Sequence, residues 1–525
     1  MVKDLRTQAV DLRLHRLPKL QAAQWNLTHV QPFIPSLEQL FKTETLSSMA
    51  DYGIKLPEEV ESVVDANRIK TTKGQTIEIH RKTTMILSPF KTMKGEYSAP
   101  GLPKPAETAK SYSEQMQSPH TAAYVGALAS SVLSTSECPN FPRVYGVYAA
   151  MATKHEVNIS DDYEDLCDRK WFVDNIGKTF ELRLRGEGGE GFTHTRGQRV
   201  AVQVGDDIEL DTEDVEADKV DEPVVGDVVE EYEIPSDSEY SEESEEDDDD
   251  VFDIRSCDCE DEDESVSDDE SVEDDAFAWA TFNEVPVVTT VMEKCAGTFY
   301  DLIKMTPDPE KHTAWVAQIV FALAFAQRNF GLLHNDLHGN NVMYVPTSEE
   351  FIYYRHHGVT YRVPTFGMLI KIIDFDRATF SVRVTGMKDP RFFMSSQFKP
   401  DEEAGGQYNM EPFYDAQSPR IGLNPSFDLV RFAASVFWDM FPKGPNETSD
   451  HPLFEMFKHW ATRPDGTSVI FRSKGDNHDR YHGFDLYKAI TRYLKESAVP
   501  RKEISKFAQY VTTVSPTAKV VTIGE

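Results

Sequence analysis

Apolar and polar positions change rhythm several times along the chain, and each rhythm predicts an element. Two β-rich runs, ESVVDANRI and TIEIHRKTTMIL, flank the turn TTKGQ and predict a hairpin over residues 60–87. Residues 88–110 hold Pro89, Pro100, Pro103 and Pro105 and read as a loop. Residues 122–133 suit a helix, and CPNFPRVYGVYAA reads as a loop entering a strand. Further on, VPVVTTVMEK predicts a strand. HTAWVAQIVFALAFAQRNF, apolar at helical spacing, predicts a long buried helix. LLHNDLHGNNVMYV is a loop leading into a strand. MLIKII is a second strand that ends at DFDRA, and FDLVRFAASVFWDMF a second buried helix. Residues 1–45 show weak amphipathic patterning, and no internal repeat is visible.

That rhythm is lost between residues 205 and 280. From Ser236 to Asp275 there are 23 acidic residues against one basic residue, Arg255, and this stretch carries 22 of the 35 net negative charges. Low hydrophobicity with charge of one sign cannot recover the entropy of ordering, so a disordered acidic insert is expected. Ser241 and Ser244 lie beside acids and suit an acidophilic kinase, and the insert could recruit a basic partner. The acidic balance argues against direct nucleic-acid binding and against docking on anionic lipid.

With 525 residues the chain is long enough for two to four compact units. Five cysteines suggest a reducing compartment rather than a disulfide scaffold, and the C-x-C of Cys257 and Cys259 lacks a second pair. The N-terminus has no apolar signal run. The longest apolar stretch, residues 314–326, is interrupted by Gln318 and is too short for a bilayer. The expectation is an intracellular protein that is not secreted and has no membrane partner.

The chemistry concentrates in two places. HNDLHGNN presents Asp336 on a loop, with Asn341 five residues later and an apolar strand after it; downstream, a second apolar strand ends at Asp374. Phosphoryl transfer needs a carboxylate for the attacking hydroxyl, oxygen ligands for Mg²⁺ and cations on the phosphates. Mg²⁺ takes one or two carboxylates plus substrate oxygens, and Asp336, Asn341 and Asp374 supply such a set.

HNDLHGNN resembles the protein-kinase catalytic loop H-R-D-L-x-x-x-N, and IIDFDRA resembles the strand ending in D-F-G. The resemblance implies an α+β fold of two lobes, a small β-rich one and a larger, mainly helical one, binding ATP with Mg²⁺ or Mn²⁺. Asp336 would be the catalytic base, with Asn341 and Asp374 holding metal. VVTTVMEKCAGTFYDLI resembles the strand, hinge and helix around adenine: Met292 would be the gatekeeper, and the backbones of Glu293 and Cys295 would bond the base. CPNFPRVYG resembles the strand after the small lobe's regulatory helix. It places the phosphate-binding lysine at Lys82, with Lys91 as runner-up. The lysine's acidic partner on the next helix would be Glu114, since residues 122–133 hold no acid. Asp428 resembles the buried aspartate beneath the catalytic loop, although a helix-start Asp explains it equally well.

These resemblances imply an N-terminal extension (1–45), a small lobe (46–295) interrupted by the acidic insert, a large lobe (296–500) and a tail (501–525). The phosphate loop should fall near residues 46–60, where Gly53 is the sole glycine. GEGGEGF, residues 186–192, also matches G-x-G-x-x-G, but it would strand CPNFPRVYG upstream and reads as an edge of the insert. Departures are plain: Asn335 for the usual Arg, His338 for the Ser/Thr-kinase Lys, Asp376 for the glycine of D-F-G, an insertion around residues 346–366, and no A-P-E before Asp428. H-x-D-L-H-x-x-N with I-D-F-D is also similar to the small-molecule phosphotransferases of this fold. The hinge, CPNFPRVYG and the long segment after Asp374 favour transfer to Ser or Thr of a protein substrate. With AGGQYN and the acidic insert, the chain resembles the divergent Ser/Thr kinases of large nucleocytoplasmic DNA viruses, iridovirus-like ones in particular; location in host cytoplasm or virion would follow. A pseudokinase interaction protein is the non-enzymatic alternative. His478, Asp479, His482 and Asp485 could be imagined as a metal site but read as a helix cap and polar surface.

Overall fold

The strand Ala278–Glu293 organises the N-terminal half of the molecule. Along one edge it pairs with Val144–Asn158; along the other it pairs first with Glu181–Arg185 and then with Thr76–Met85. Arg68–Thr71 and Val60–Val63 extend the sheet outward from Thr76–Met85, Leu27–Gln31 adds to Val144–Asn158, and Gly191–His194 adds to Glu181–Arg185. The eight strands are antiparallel throughout. The computed structural model describes residues 9–42, 46, 48–97, 101–105, 112–160, 162–185, 191–194, 277–445, 448–471, 481, 483–513, 515, 516 and 519–524. Over these residues the fold is a mixture of α-helices and β-sheets.

The pleat sorts side chains between two cores. Val285, Val287 and Val291 join a cluster with Trp25, Ile79 and Phe172 on one face, while Val288 joins the main core on the other. Alternation at period two is the cause. On Val288's face lies the helix Ala122–Ser134, whose residues 123–129 are all buried.

The C-terminal half is built around the helix Pro309–Phe330, buried along most of its length. Asp308 caps its start by accepting from the Glu310 N–H at 3.0 Å, Pro309 takes the first-turn position where no N–H is needed, and Gly331 ends it at φ 57°. Gln318, the polar interruption in this apolar run, accepts from Asn140 Nδ2 and the Ile370 N–H and donates to the Met368 carbonyl. It therefore pins the helix to the strand Met368–Ile372, which pairs with Val342–Pro346, itself paired with Gly297–Thr298. The helices Phe427–Met440, Pro452–Trp460 and Gly483–Tyr493 complete this half.

Several expectations are revised. The hairpin over residues 60–87 is three strands, because the first run breaks at residues 64–67, where Asp65 Oδ1 accepts from the Asn67 N–H and turns the chain. Residues 89–94 are a helix rather than loop, with Ser88 as cap and Pro89 at its first turn. The insertion around residues 346–366 is a hairpin, Phe351–His356 with Val359–Pro364. The tail returns to it: Val520–Gly524 lies parallel beside Phe351–His356. The N-terminal extension is woven in, through Leu14–Arg16 on Tyr52–Ile54 and Ala9–Val10 on Thr379–Val384. Residues 205–276 of the acidic insert lie outside the described residues, and a strand begins at Ala278. Among the described residues no helix is long and apolar enough to cross a membrane.

Candidate functional site

Strand register sets one wall of the site. Thr290 pairs with Lys82 and Val288 with Thr84, so Lys82, Thr84, Val288, Thr290 and Met292 share one face of the sheet. Ala123, Gly126, Ala127 and Ser130, at helical spacing on Ala122–Ser134, face them across a narrow pocket that Asp374, Phe375 and Asp376 close. Lys82 Nζ reaches Asp374 Oδ1 at 2.6 Å and Asp376 Oδ2 at 2.7 Å. Thr84 donates to Asp376 Oδ2 at 3.2 Å. Burial alone would neutralise this lysine, but the two carboxylates outweigh it and hold Lys82 protonated well above its ordinary value. Burial likewise opposes ionisation of Asp374, yet the Lys82 ammonium holds it below the ordinary carboxylate value. At Asp376, burial and the neighbouring Asp374 outweigh Lys82, so that carboxyl is pushed up. Asp374 keeps 39% of its side-chain exposure, more than Lys82 at 25% or Asp376 at 18%.

The loop after Pro309–Phe330 supplies the second wall. Asp428, fully buried, accepts from the His334 N–H at 3.0 Å and the Asn335 N–H at 2.9 Å, so it holds the loop from below. His334 Nε2 bonds the Ile373 carbonyl at 2.7 Å, tying this loop to the Asp374 segment. Asn341 Nδ2 donates to the Asp336 carbonyl at 2.8 Å, and the Ile373 N–H donates to the Asn341 carbonyl at 3.0 Å. Asn335 and Asp374 both take positive φ, 64° and 63°, a conformation Asn and Asp tolerate better than most residues. Gly339 is demanded by packing, since a Cβ there would overlap the Tyr300 ring.

Asp336 sits among groups the sequence did not flag. Tyr487, from Gly483–Tyr493, donates its hydroxyl to Asp336 Oδ1 at 2.6 Å, and Arg377 Nη1 stands 3.7 Å from the same oxygen. Burial works against the Asp336 carboxylate, but Arg377, His338 and the Tyr487 bond prevail and hold it well below the ordinary range. His338, against Asn341 Nδ2 at 3.0 Å, is pushed down by burial to about 4 despite Asp336, so it is neutral near pH 7. Arg377 also meets Gln397 and Glu403, and Tyr408 of AGGQYN donates to Asn335 Oδ1 at 2.7 Å.

Lys82, Asp374 and Met292 thus line one pocket, and the bonds of His334 and Asn341 to Ile373 tie the loop carrying Asp336 and Asn341 to its edge. Glu293 ends the strand Ala278–Glu293, and Cys295 lies in the short link to Gly297–Thr298. The Glu293 N–H donates to the Arg143 carbonyl at 2.9 Å, its carboxylate meets Lys371 at 2.5 Å, and burial pushes the Cys295 thiol up to about 11. Glu114 is a correction. It is exposed in the first turn of Tyr112–Gln117, and the acids on Lys82 are Asp374 and Asp376. Lys91 pairs with Asp401 and Glu402 elsewhere. Gly53 is a packing glycine inside Tyr52–Ile54, where a Cβ would stand 2.9 Å from Leu17 Cδ1 and 3.0 Å from Pro32 Cβ. The turn nearest the Lys82 strand's outer neighbours, residues 64–67, holds no glycine. In GEGGEGF, residues 186–190 lie outside the described residues, and Gly191 and Phe192 pair with Arg185 and Leu184 in a hairpin. His478, Asp479, His482, Cys257 and Cys259 lie outside the described residues, and Asp485 makes a surface pair with Lys488.

Among the described residues no group of three or more His, Cys, Asp or Glu could hold a metal alone. Asp374 carries a carboxylate and Asn341 an amide oxygen, the ligand types that Mg²⁺ takes alongside substrate oxygens.

No protein-family model matches the chain. A curated protein of Caenorhabditis elegans, described as "Uncharacterized protein ZK177.2", is 30% identical to it over 73 residues. The match covers 14% of this chain and 25% of that protein, so the chain spans about a quarter of the relative's length.

Proposed function

We propose that the chain is a metal- and ATP-dependent kinase of the two-lobed protein-kinase type, transferring the γ-phosphate to Ser or Thr hydroxyls of a protein. One observation carries the reading. A lysine on the sheet, Lys82, meets an aspartate at the end of a strand, Asp374, and both adjoin a loop presenting Asp336 and Asn341. These four residues come from three separate stretches of sequence, and phosphoryl transfer needs each type.

In this reading the Lys82 ammonium faces phosphate oxygens, and Met292 with Val144 and Val288 forms the apolar wall for the base. Asp374 and Asn341 would hold Mg²⁺, which supplies neutralisation of phosphate charge when bound. Asp336, kept ionised by Arg377, orients the acceptor hydroxyl and takes its proton as the oxygen bonds to the γ-phosphorus. The bond from the γ-phosphorus to the bridging oxygen breaks, and ADP leaves. Asn335 in place of the usual Arg fits an enzyme not switched by a phosphorylated loop: Asn335 is held by Tyr408 instead.

The test is transfer of labelled γ-phosphate from ATP with Mg²⁺ or Mn²⁺ to basic protein, casein, the chain itself and small alcohols. Label on protein, lost in Asp374→Asn, is expected. Asp336→Ala should lower kcat on the order of 10²–10⁴-fold, and wild-type turnover in that variant would sink the assignment. Label on small alcohols alone would move the chain to the phosphotransferases. Metal-dependent nucleotide binding without transfer would make it a pseudokinase; the turn without glycine at residues 64–67 favours that second reading.

A further inference from the structure

Two oddities of the sequence meet at one point in space. The helix facing Lys82 has no acid between residues 122 and 133, and the segment after Asp374 has an acid, Asp376, where the resembled motif has glycine. The helix offers the pocket only small residues: Ala123, Gly126, Ala127 and Ser130. Gly126 lies mid-helix, where glycine costs helix stability and needs a reason. The reason is Asp376. A Cβ on Gly126 would overlap Asp376 Oδ1 and stand 3.1 Å from its Cγ and 3.2 Å from its backbone N. The other oxygen of Asp376 takes Lys82 at 2.7 Å and Thr84 at 3.2 Å.

We infer that Asp376 is the positioning residue for Lys82, doing the work otherwise done by an acid on the helix, and that Gly126 is the matching cut that admits it. This rests on the kinase reading and deepens it. Lysine positioning and metal binding are joined in one three-residue unit, Asp374–Phe375–Asp376. The helix Ala122–Ser134 contributes shape rather than charge. Assembly of the Lys82 contacts does not require that helix to deliver a carboxylate. Phe375, fully buried against His334 and Phe141, anchors the unit from behind.

Reciprocal exchange tests the pairing. Asp376→Gly and Gly126→Glu are made singly and together, and kcat, KM for ATP and Tm are measured for each. Each single variant is expected to lose at least about tenfold in kcat/KM for ATP. The double variant, which moves the acid onto the helix and the gap onto the strand end, should recover most of that loss. Asp376→Gly with wild-type kcat/KM, or a double variant as poor as the product of the singles, would overturn the inference. Asp376→Asn guards against a double variant that fails to fold. It keeps size and the Thr84 bond but removes charge, so KM for ATP should rise with little change in Tm, and an unchanged KM overturns the proposal. If wild type neither binds nor turns over ATP, the kinase reading has failed by itself. The Tm values of the exchange set then still decide the pairing: rescue in the double variant supports it, and additive losses overturn it.

Discussion

Lys82 and Lys91 are nine residues apart, and each is clamped between two carboxylates. Their side-chain exposures are nearly equal, 25% and 23%, and their contacts are 2.6 and 2.7 Å against 2.9 and 2.8 Å. Ion-pair geometry therefore cannot separate them. The difference lies in what surrounds each pair. The acids on Lys82 sit on the segment that His334 and Asn341 tie to Asp336, beside an apolar pocket. The acids on Lys91 are Asp401, with 68% side-chain exposure, and Glu402, on the stretch after Ser396–Phe398. A lysine between acids is common; a lysine between acids that lines a pocket, beside a loop carrying a third acid and an amide, is the stronger candidate for a site.

The most direct break in that comparison is Lys82→Met. On the proposed reading, removing the cation that would face phosphate oxygens should cut kcat/KM for ATP on the order of 10²–10³-fold, and activity near wild type would erase the distinction. Tyr487→Phe sharpens it, because that hydroxyl holds the Asp336 carboxylate 151 residues away in sequence. A fall in kcat of roughly tenfold with little change in KM is expected, the cost of a hydrogen bond to a charged group. A change in KM alone would show that Tyr487 binds substrate instead.

The third prediction concerns a region where stability alone is at stake. His312 Nε2 bonds the Thr306 carbonyl, its Nδ1 meets His451 Nε2 at 3.2 Å, and His451 Nδ1 accepts from the Leu453 N–H. The chain works with both rings neutral. Burial, with His312 beside it, pushes His451 down to about 4. A depressed folded value means stability present above pH 6.5 and lost as pH falls from there toward about 4, because the unfolded ring takes its proton first. Tm should drop by a few degrees across that window. His451→Asn, which keeps a cap on Leu453, should flatten the drop, and an identical slope would refute the account. The smallest effect on activity belongs to Lys91→Met, within about twofold by the transfer assay, because its partners Asp401 and Glu402 lie apart from the Lys82 pocket; a loss of stability is expected in its place, since Glu402 is left without its cation at 13% exposure.

Much of this was legible in the chain itself. The helix Pro309–Phe330 and the strands Val342–Pro346 and Met368–Ile372 follow from spacing of apolar residues, and HNDLHGNN and IIDFDRA each sit on the element their flanks predict. Lys82 was reachable by counting strands back from CPNFPRVYG. The acid partner was not, and Glu114 was the wrong choice. The resemblance puts the partner on the next helix, whereas the structure sets the acid-free stretch of residues 122–133 against the surplus acid, Asp376, that meets Lys82. Tyr487 and Arg377 left no local mark at all.

The sequence by itself determined the local elements and the motif residues, because helix and strand periods, caps and loop spacing act over a few residues. Only the tertiary structure decided which acids meet Lys82, since Asp374 lies 292 residues beyond it and no local rule spans that distance. It also decided that Gly126 matters. A glycine's meaning lies in the atom that occupies the space its missing side chain leaves, and here that atom belongs to Asp376.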